Sequence, residues 1–395
     1  MPLVHMGDML RHAYENGYAV GAFDVVSLDF INGVMAAAED RQAPVIVSLA
    51  ESHFAYFDFD LLMAAVERAA ERSTVPVAIH LDHGESLESA VRAINLGCTG
   101  VMVDASSLPL EENIVHTRAV VDMAHACGIP VEGELGYVPG VEGEDAERHP
   151  GEVVYTTIAD ARHYVEATGV DFLAVSVGTV HGRMKGEPQL DFQRLAEINQ
   201  TLGLPLVIHG GTGLGSEQFA RLIENGVTKI NYYTALADAA GRRIQANLQS
   251  AECSGYTACV HGVADAIQQE AARCIDVWGS AGRSAALLEH CRPRLPVEHV
   301  ITYNTEGLDE TGVEEMMAEG RRTLGAIPGV RRVFTGHAGQ DNAAYRHCWL
   351  VRFAGSAVID SYRDHVDHQH FADTCFRPHA GSRMSIDFED SDTGH

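Results

Sequence analysis

The sequence predicts an α/β chain: a (β/α)8 TIM barrel followed by a small α+β domain of ferredoxin-like order. Three observations predict it. From residue 17 to about 250, eight short apolar segments alternate with amphipathic ones. No GxGxxG follows the first of them, which counts against a doubly wound open sheet. After residue 285 the order changes to β-α-β-β-α-β.

The expected barrel strands are 18–23, 44–49, 75–81, 100–104, 130–135, 172–177, 205–209 and 227–231. Each is rich in Val, Ile and Leu and bounded by Gly, Pro or polar residues, as buried parallel strands are. Amphipathic stretches such as 61–72, 87–96, 114–126 and 192–202 supply helices between them. Residues 1–285 are assigned to the barrel. Residues 286–296 are assigned to a linker, because 290–296 carries two prolines and three basic residues. A second domain, 297–388, has strands at 299–304, 331–336, 347–353 and 383–388, with helices at 310–324 and 356–364. The acidic tail, 389–395, is expected to be disordered.

Composition excludes several function classes. Acidic residues number 55 against 28 basic ones, a formal charge of −27. Such a surface repels nucleic acid and anionic membranes. An anionic substrate then needs a local positive device, such as a metal or a helix N-terminus. No apolar run approaches the roughly 18 residues that span a bilayer. The start, MPLVHMGDMLRHAYENG, lacks the pattern of a signal peptide, so a cytoplasmic protein is expected. The eight cysteines form no CxxC pair and read as small buried thiols.

Catalytic groups of a barrel sit where its strands end. The third strand ends His80-Leu81-Asp82-His83. The sixth is followed by Gly178-Thr179-Val180-His181-Gly182. The seventh ends in His209-Gly210-Gly211-Thr212-Gly213. Three histidines, His83, His181 and His209, thus converge on one rim. Three imidazoles that leave one position open match a catalytic Zn2+ site, one ion per chain.

These residues lie in motifs that resemble the class II, zinc-dependent ketose-bisphosphate aldolases, in particular the fructose- and tagatose-bisphosphate members. The matching stretches are GYAVGAFD, HLDHGES, VDASSLPLEENI, VEGELG, PGVEGED, VSVGTVHG, LPLVIHGGTG, GVTKIN and GSAGR, ending near Arg283. The resemblance implies a lyase that acts on a phosphorylated ketose, or on a ketone plus an aldehyde. It implies that zinc on the three histidines binds the substrate carbonyl and stabilises an enediolate. Asp82 would exchange the proton of the hydroxyl at the cleaved carbon, and Glu142 the proton on the enediolate carbon. Asp104 and Glu134 match an alternative resting position of the metal. Phosphate would meet Gly182, Gly210, Gly211 and Thr212 and the turn Asn231-Tyr232-Tyr233-Thr234, with a monovalent cation nearby.

Several positions depart from the family pattern. Asp24 stands where Asn is usual, Gly84 where a second His is usual, and Ala105-Ser106-Ser107 where Gly-Ser-His is usual. Tyr232 and Tyr233 fill the middle of the strand-eight motif. The metal and proton-transfer groups are kept, so the departures bear on which substrate is used, and a non-bisphosphate substrate is the alternative.

The second domain resembles the stress-responsive dimeric α/β-barrel (Dabb) domains. The matching residues are Glu298-His299-Val300-Ile301, Ile327-Pro328-Gly329-Val330, the run from Tyr362 to His368, and Ile386-Asp387-Phe388. Such domains pair through their sheets, so a homo-oligomer, dimer or tetramer, is expected. In plant polyketide cyclases of that family, residues matching His299, Tyr362 and His368 form an active site. Two other functions compete. A Schiff-base aldolase needs a lysine, and the chain has two, Lys185 and Lys229. A non-catalytic metal-binding scaffold needs no turnover at all.

Overall fold

The structure, a computed structural model, describes residues 2–140, 143–144, 153–183, 188–250 and 253–389. It divides into two compact units. The first comprises Met1–Leu87, Cys98–Val121 and Pro130–Pro293, and the second Glu88–Gly97, Asp122–Ile129 and Arg294–His395.

In the first unit, eight strands close a parallel barrel. They are β1 (Val20–Asp24), β2 (Val45–Ala50), β3 (Val77–Gly84), β4 (Gly100–Val103), β5 (Val131–Leu135), β6 (Phe172–Val175), β7 (Leu206–Ile208) and β8 (Val227–Tyr232). β1 pairs with both β2 and β8, which completes the circle. The strands are buried almost throughout, which explains their continuous apolar runs. Met6, Met9, Leu10 and Ala13 of the helix Met6–Asn16 join Val20, Ala22, Ile46, Ala78 and Val207 in one core cluster. That apolar plug leaves the opposite, C-terminal end of the barrel for polar groups.

The second unit has four antiparallel strands: β9 (Val297–Thr305), β10 (Val330–His337), β11 (His347–Phe353) and β12 (Ala380–Glu389). Their order is β10-β11-β9-β12. Alternation sends Tyr303, Trp349, Val351 and Phe353 to the buried face, against residues such as Met317 and Leu324 of the helix Glu310–Gly325. The other face carries a cross-strand row, Phe334–Leu350–Val300–Ile386, through all four strands. Phe334 and Ile386 are 44% and 40% exposed, and Met384 and Phe388 beside them are also exposed.

The structure differs from the expected elements at three places. β3 runs on to Gly84, because Asp82 and His83 are built into the strand end rather than into a loop. The expected linker holds defined structure: 286–290 continue the helix Ser284–His290, and Val4 bridges Pro293. Arg292 also pairs with Asp8 at 2.8 Å, so this segment is tied to the N-terminal helix. Glu389, expected in the tail, ends β12, and residues 390–395 lie outside the described residues.

Candidate active site

β3 carries Asp82 and His83 into the C-terminal rim. The strand is irregular there, with its pairing to β4 shifting between Leu81 and Gly84. His83 adopts φ 46°, a left-handed conformation that is strained for a residue with a side chain. Asp104, just past β4, anchors its ring: Oδ2 accepts from Nδ1 at 2.7 Å. A Cβ on Gly84 would stand 2.5 Å from the Met102 carbonyl oxygen, so no side chain fits at that position.

His181 follows β6, and its Nδ1 donates to the Val138 carbonyl at 3.2 Å. His209 follows β7, and its Nε2 donates to Glu132 Oε1 at 3.1 Å. The Val138 carbonyl can only accept, and the carboxylates of Asp104 and Glu132 are ionised acceptors. Burial raises the Glu132 carboxyl, but Lys229 and the His209 hydrogen bond outweigh it and hold it at about 2. Burial also raises Asp104, and its bond to His83 overcomes that and keeps it below the usual carboxylate range. Each ring therefore donates outward and turns its second nitrogen inward. Those inward nitrogens are His83 Nε2, His181 Nε2 and His209 Nδ1.

One ring nitrogen from each of the three histidines lies within 4.8 Å of the other two. His83 Nε2 and His209 Nδ1 are 2.9 Å apart. Two lone pairs at that separation repel unless a cation or a proton lies between them. His181 Nε2 is buried without a protein partner, which is costly for a polar atom. Burial lowers the His181 ring to about 3, with His83 adding to it, so the ring stays neutral and able to ligate. Burial lowers the His83 ring, but Asp82 and Asp104 outweigh it and push it well above the usual value, so a proton on Nε2 and a metal ion compete for the gap to His209. Three imidazoles held by acceptors on their far side fit a zinc-type ion. A second set, His83, Asp104 and Glu134, also brings its donor atoms within 4.8 Å. Burial and the neighbouring Asp104 push the Glu134 carboxyl well up.

Asp82 is fully buried. Its Oδ1 accepts from Asn231 Nδ2 at 2.8 Å. Its Oδ2 has no hydrogen-bond partner and lies 3.9 Å from His83 Nε2. Burial raises this carboxyl, but His83, Lys229 and His209 together hold it well below the usual range. An ionised carboxylate with one uncommitted oxygen beside a cation site is equipped to move a proton. Beside these groups opens a cavity of about 560 Å³, lined by His83, Asp104, Ser106, Glu134, Tyr137 and His181. That is ample for a small metabolite.

Residues 4–283 match the family model described as Fructose-bisphosphate aldolase class-II. The chain belongs to the class-II fructose-bisphosphate aldolase family. It is therefore an enzyme of a lyase family. It is 45% identical over 237 residues to a Bacillus subtilis (strain 168) protein named "Probable fructose-bisphosphate aldolase", which covers 59% of this chain and 82% of that one. It is 43% identical, with the same coverage, to a fructose-bisphosphate aldolase of Staphylococcus aureus (strain N315). Among solved structures, the YdjI aldolase of Escherichia coli K12 superposes with a TM-score of 0.64 at 33% identity, covering 71% of this chain and 99% of that one. Residues 297–390 match the Stress responsive A/B Barrel Domain model.

The remaining residues expected in the aldolase site are placed differently from one another. Gly182, Gly210, Gly211 and Thr212 lie in the turns after β6 and β7; Gly182 and Gly210 have φ of 82° and 72°, which a side chain resists. Asn231 is buried and its side chain is committed to Lys229 and Asp82. The Tyr232 side chain does not face the site, which leaves only its backbone to the expected phosphate turn. Its hydroxyl donates to Glu270 at 2.8 Å, and its ring packs on Trp278 and Phe23. Strand alternation explains this, because Asn231 points into the barrel and the next residue must point out. Tyr233 does stand at the rim, 4.4 Å ring to ring from His53 and 5.9 Å from Phe30. Thr234 opens the helix Thr234–Gln249, and its hydroxyl accepts from the Gly143 N–H at 3.0 Å. Glu142 and Lys185 lie outside the described residues.

The aldolase barrel also holds Glu132 and His53, which the motif reading passed over, and Lys229, which it weighed only for a Schiff base. Glu132, Lys229 and His53 are buried beside the site. A signal for the first two existed: each lies two residues from a named site residue, Glu134 or Asn231, and so shares its strand face. His53 sits on the 3-10 turn Glu51–Ala55 past β2, where no periodicity points inward.

In the second unit, His299, Tyr362 and His368 come together. Tyr362 lies 4.4 Å ring to ring from His368 and 6.3 Å from His299. His299 Nδ1 pairs with Asp387 Oδ1 at 2.6 Å across β9 and β12. The cavity beside Tyr362 and His368 is only about 30 Å³, room for about one water.

Proposed function

We propose that the chain is a zinc-dependent aldolase that makes or breaks a C–C bond next to a ketone, through a dihydroxyacetone-phosphate-type enediolate of a ketose phosphate. The observation that carries this is the convergence of three histidine ring nitrogens beside an ionised Asp82 with one uncommitted oxygen. His83, His181 and His209 would hold a divalent ion, which would supply Lewis-acid polarisation of the ketone oxygen. Asp82 Oδ2 takes the proton from the hydroxyl on the cleaved carbon, or returns it in the condensing direction. Glu142 is assigned the proton on the enediolate carbon, on the resemblance alone. Asp104 and Glu134, with His83, offer the ion a second resting position. The turns at Gly182 and Gly210-Gly211-Thr212, with the helix opening at Thr234, would hold phosphate through backbone N–H groups, with a monovalent cation beside them on the resemblance alone.

The test offers dihydroxyacetone phosphate with glyceraldehyde 3-phosphate, glyceraldehyde and glycolaldehyde, with and without chelator. Chelator-sensitive condensation supports the reading. Tightly bound metal with no condensation of any pair overturns it in favour of a scaffold. A Schiff base on Lys229 is not favoured, because that lysine is fully buried and ion-paired to Glu132 at 2.7 Å. Borohydride added with substrate should trap no covalent adduct.

Tyr233 bears on substrate choice. Its ring stands where the last strand meets a helix N-terminus, the usual phosphate corner of a barrel. Fructose 1,6-bisphosphate should therefore be a poor substrate. Tyr233→Ala should raise kcat/KM for it by roughly tenfold or more, the scale of a steric change in a pocket. Efficient cleavage of that sugar by the unaltered enzyme would remove Tyr233 as the reason for selectivity.

The bare face of the β9–β12 sheet is proposed to pair with a second copy of the chain. The row Phe334–Leu350–Val300–Ile386 is apolar across the whole sheet, and a two-fold contact buries it against itself. Ile386→Asp should yield a smaller assembly in light scattering, with metal content unchanged. An unchanged mass would show that this face is not the contact. No helix among the described residues is long and apolar enough to cross a membrane. A cytoplasmic location is proposed with this, supported by eight free thiols.

A further inference from the structure

Lys229 has no place in the proton transfers above, yet it is buried completely at the centre of the site. It is one of two lysines in 395 residues. Its Nζ lies 2.7 Å from Glu132 Oε2 and donates to Asn231 Oδ1 at 2.7 Å. Lys229 and Asn231 share the inward face of β8, while Glu132 reaches in from β5 on the far side of the barrel. Each acceptor has a second partner. Asn231 Nδ2 donates to Asp82 Oδ1 at 2.8 Å, and Glu132 Oε1 accepts from His209 Nε2 at 3.1 Å.

We propose that Lys229 is a positioning residue: one buried ammonium that fixes the hydrogen-bond polarity of Asp82 through Asn231 and of His209 through Glu132. This rests on the aldolase reading above. An ammonium can only donate. The Asn231 amide must therefore turn its oxygen toward Lys229 and its NH2 toward Asp82. Asp82 Oδ1 must then accept, which keeps that oxygen unprotonated and leaves Oδ2 for the substrate hydroxyl. On the other arm, the ion pair with Lys229 holds Glu132 Oε2 and leaves Oε1 to take the proton of His209 Nε2. That fixes the His209 tautomer, so Nδ1 offers its lone pair toward His83. A neutral residue at 229 would let Asn231 turn over and would release both arms together.

The competing account is that Lys229 only neutralises a buried carboxylate. Two variants separate the accounts in the full-length protein. In Lys229→Met/Glu132→Gln no buried charge of this pair is left unmatched, so the variant should fold with a melting temperature near that of the parent. Asn231→Asp keeps an acceptor for Lys229 but cannot donate to Asp82, and so breaks one arm alone. The readouts are the affinity for cobalt(II) with its visible absorption spectrum, and kcat and KM for condensing dihydroxyacetone phosphate with glyceraldehyde 3-phosphate at saturating metal. The double variant should bind cobalt(II) about 10–100-fold more weakly, the usual effect of losing a ligand's hydrogen-bond partner. It should also show a changed spectrum and lose about 100-fold in kcat with KM little altered. Asn231→Asp should lose kcat to a similar degree while keeping cobalt(II) affinity and spectrum. A double variant within threefold of the parent in both kcat and cobalt(II) affinity overturns the proposal, and so does one that fails to fold while Asn231→Asp is unimpaired. If the parent binds cobalt(II) but condenses nothing, the aldolase reading fails instead, and the metal readouts still decide the His209 arm.

Discussion

Asp82→Asn should lower turnover by about 10²–10⁴, the range for removing a positioned acid–base group, while the metal stays bound. The substitution is nearly isosteric, so the oxygen at the Oδ1 position can still accept from Asn231, now at 2.8 Å. What it removes is the basic oxygen Oδ2, which has no hydrogen-bond partner in the protein and so is available to substrate. The altered position is not a histidine, and none of the three ring-anchoring acceptors is touched. Metal content and turnover should therefore separate: elemental analysis unchanged, kcat down by two orders of magnitude or more. A variant with normal kcat would take Asp82 out of the mechanism. Loss of metal together with turnover would make it a ligand instead, a reading that the neighbouring set Asp82, Glu132 and His209 keeps in view.

His209→Ala should empty the metal site and abolish chelator-sensitive turnover. His209 is 1% exposed and supplies the nitrogen that faces His83 at 2.9 Å, so two imidazoles alone would remain. The fold should survive, because Glu132 loses one hydrogen bond but keeps Lys229 at 2.7 Å. About one divalent ion per chain in the parent, and close to none in the variant, is the expected elemental analysis. Unchanged metal content would show that the ion is held elsewhere, with His83, Asp104 and Glu134 as the place to look.

Much of this site was legible before any coordinates. His83, His181 and His209 stood out because each ends a strand, and barrel topology carries three strand ends to one rim whatever the loops between them do. Asp82 was legible for the same reason, one residue before a ligand on the same strand. The direction of the Tyr232 side chain was also held in the sequence, though the motif did not give it. With Asn231 inward, alternation sends the next side chain to Glu270 and Trp278 in the helical layer. A resemblance gives a motif its position but does not say which way a residue in it points.

The amino-acid order by itself determined the two architectures, the end of the barrel that carries chemistry, and the residue types gathered there. Those follow from periodicities of two and 3.6 and from where apolar runs stop, which are local properties of the chain. Only the tertiary structure decided how those residues face one another. Lys229 meets Glu132 across the barrel, although 96 intervening residues separate them in the sequence. His53 meets Tyr233 from a different strand end, and Asp104 holds His83 in a left-handed backbone conformation. Which nitrogen of each histidine turns inward depends on an acceptor brought from another segment: Asp104, Val138 or Glu132. Hydrogen-bond polarity is a property of pairs, and no window along the chain contains both partners.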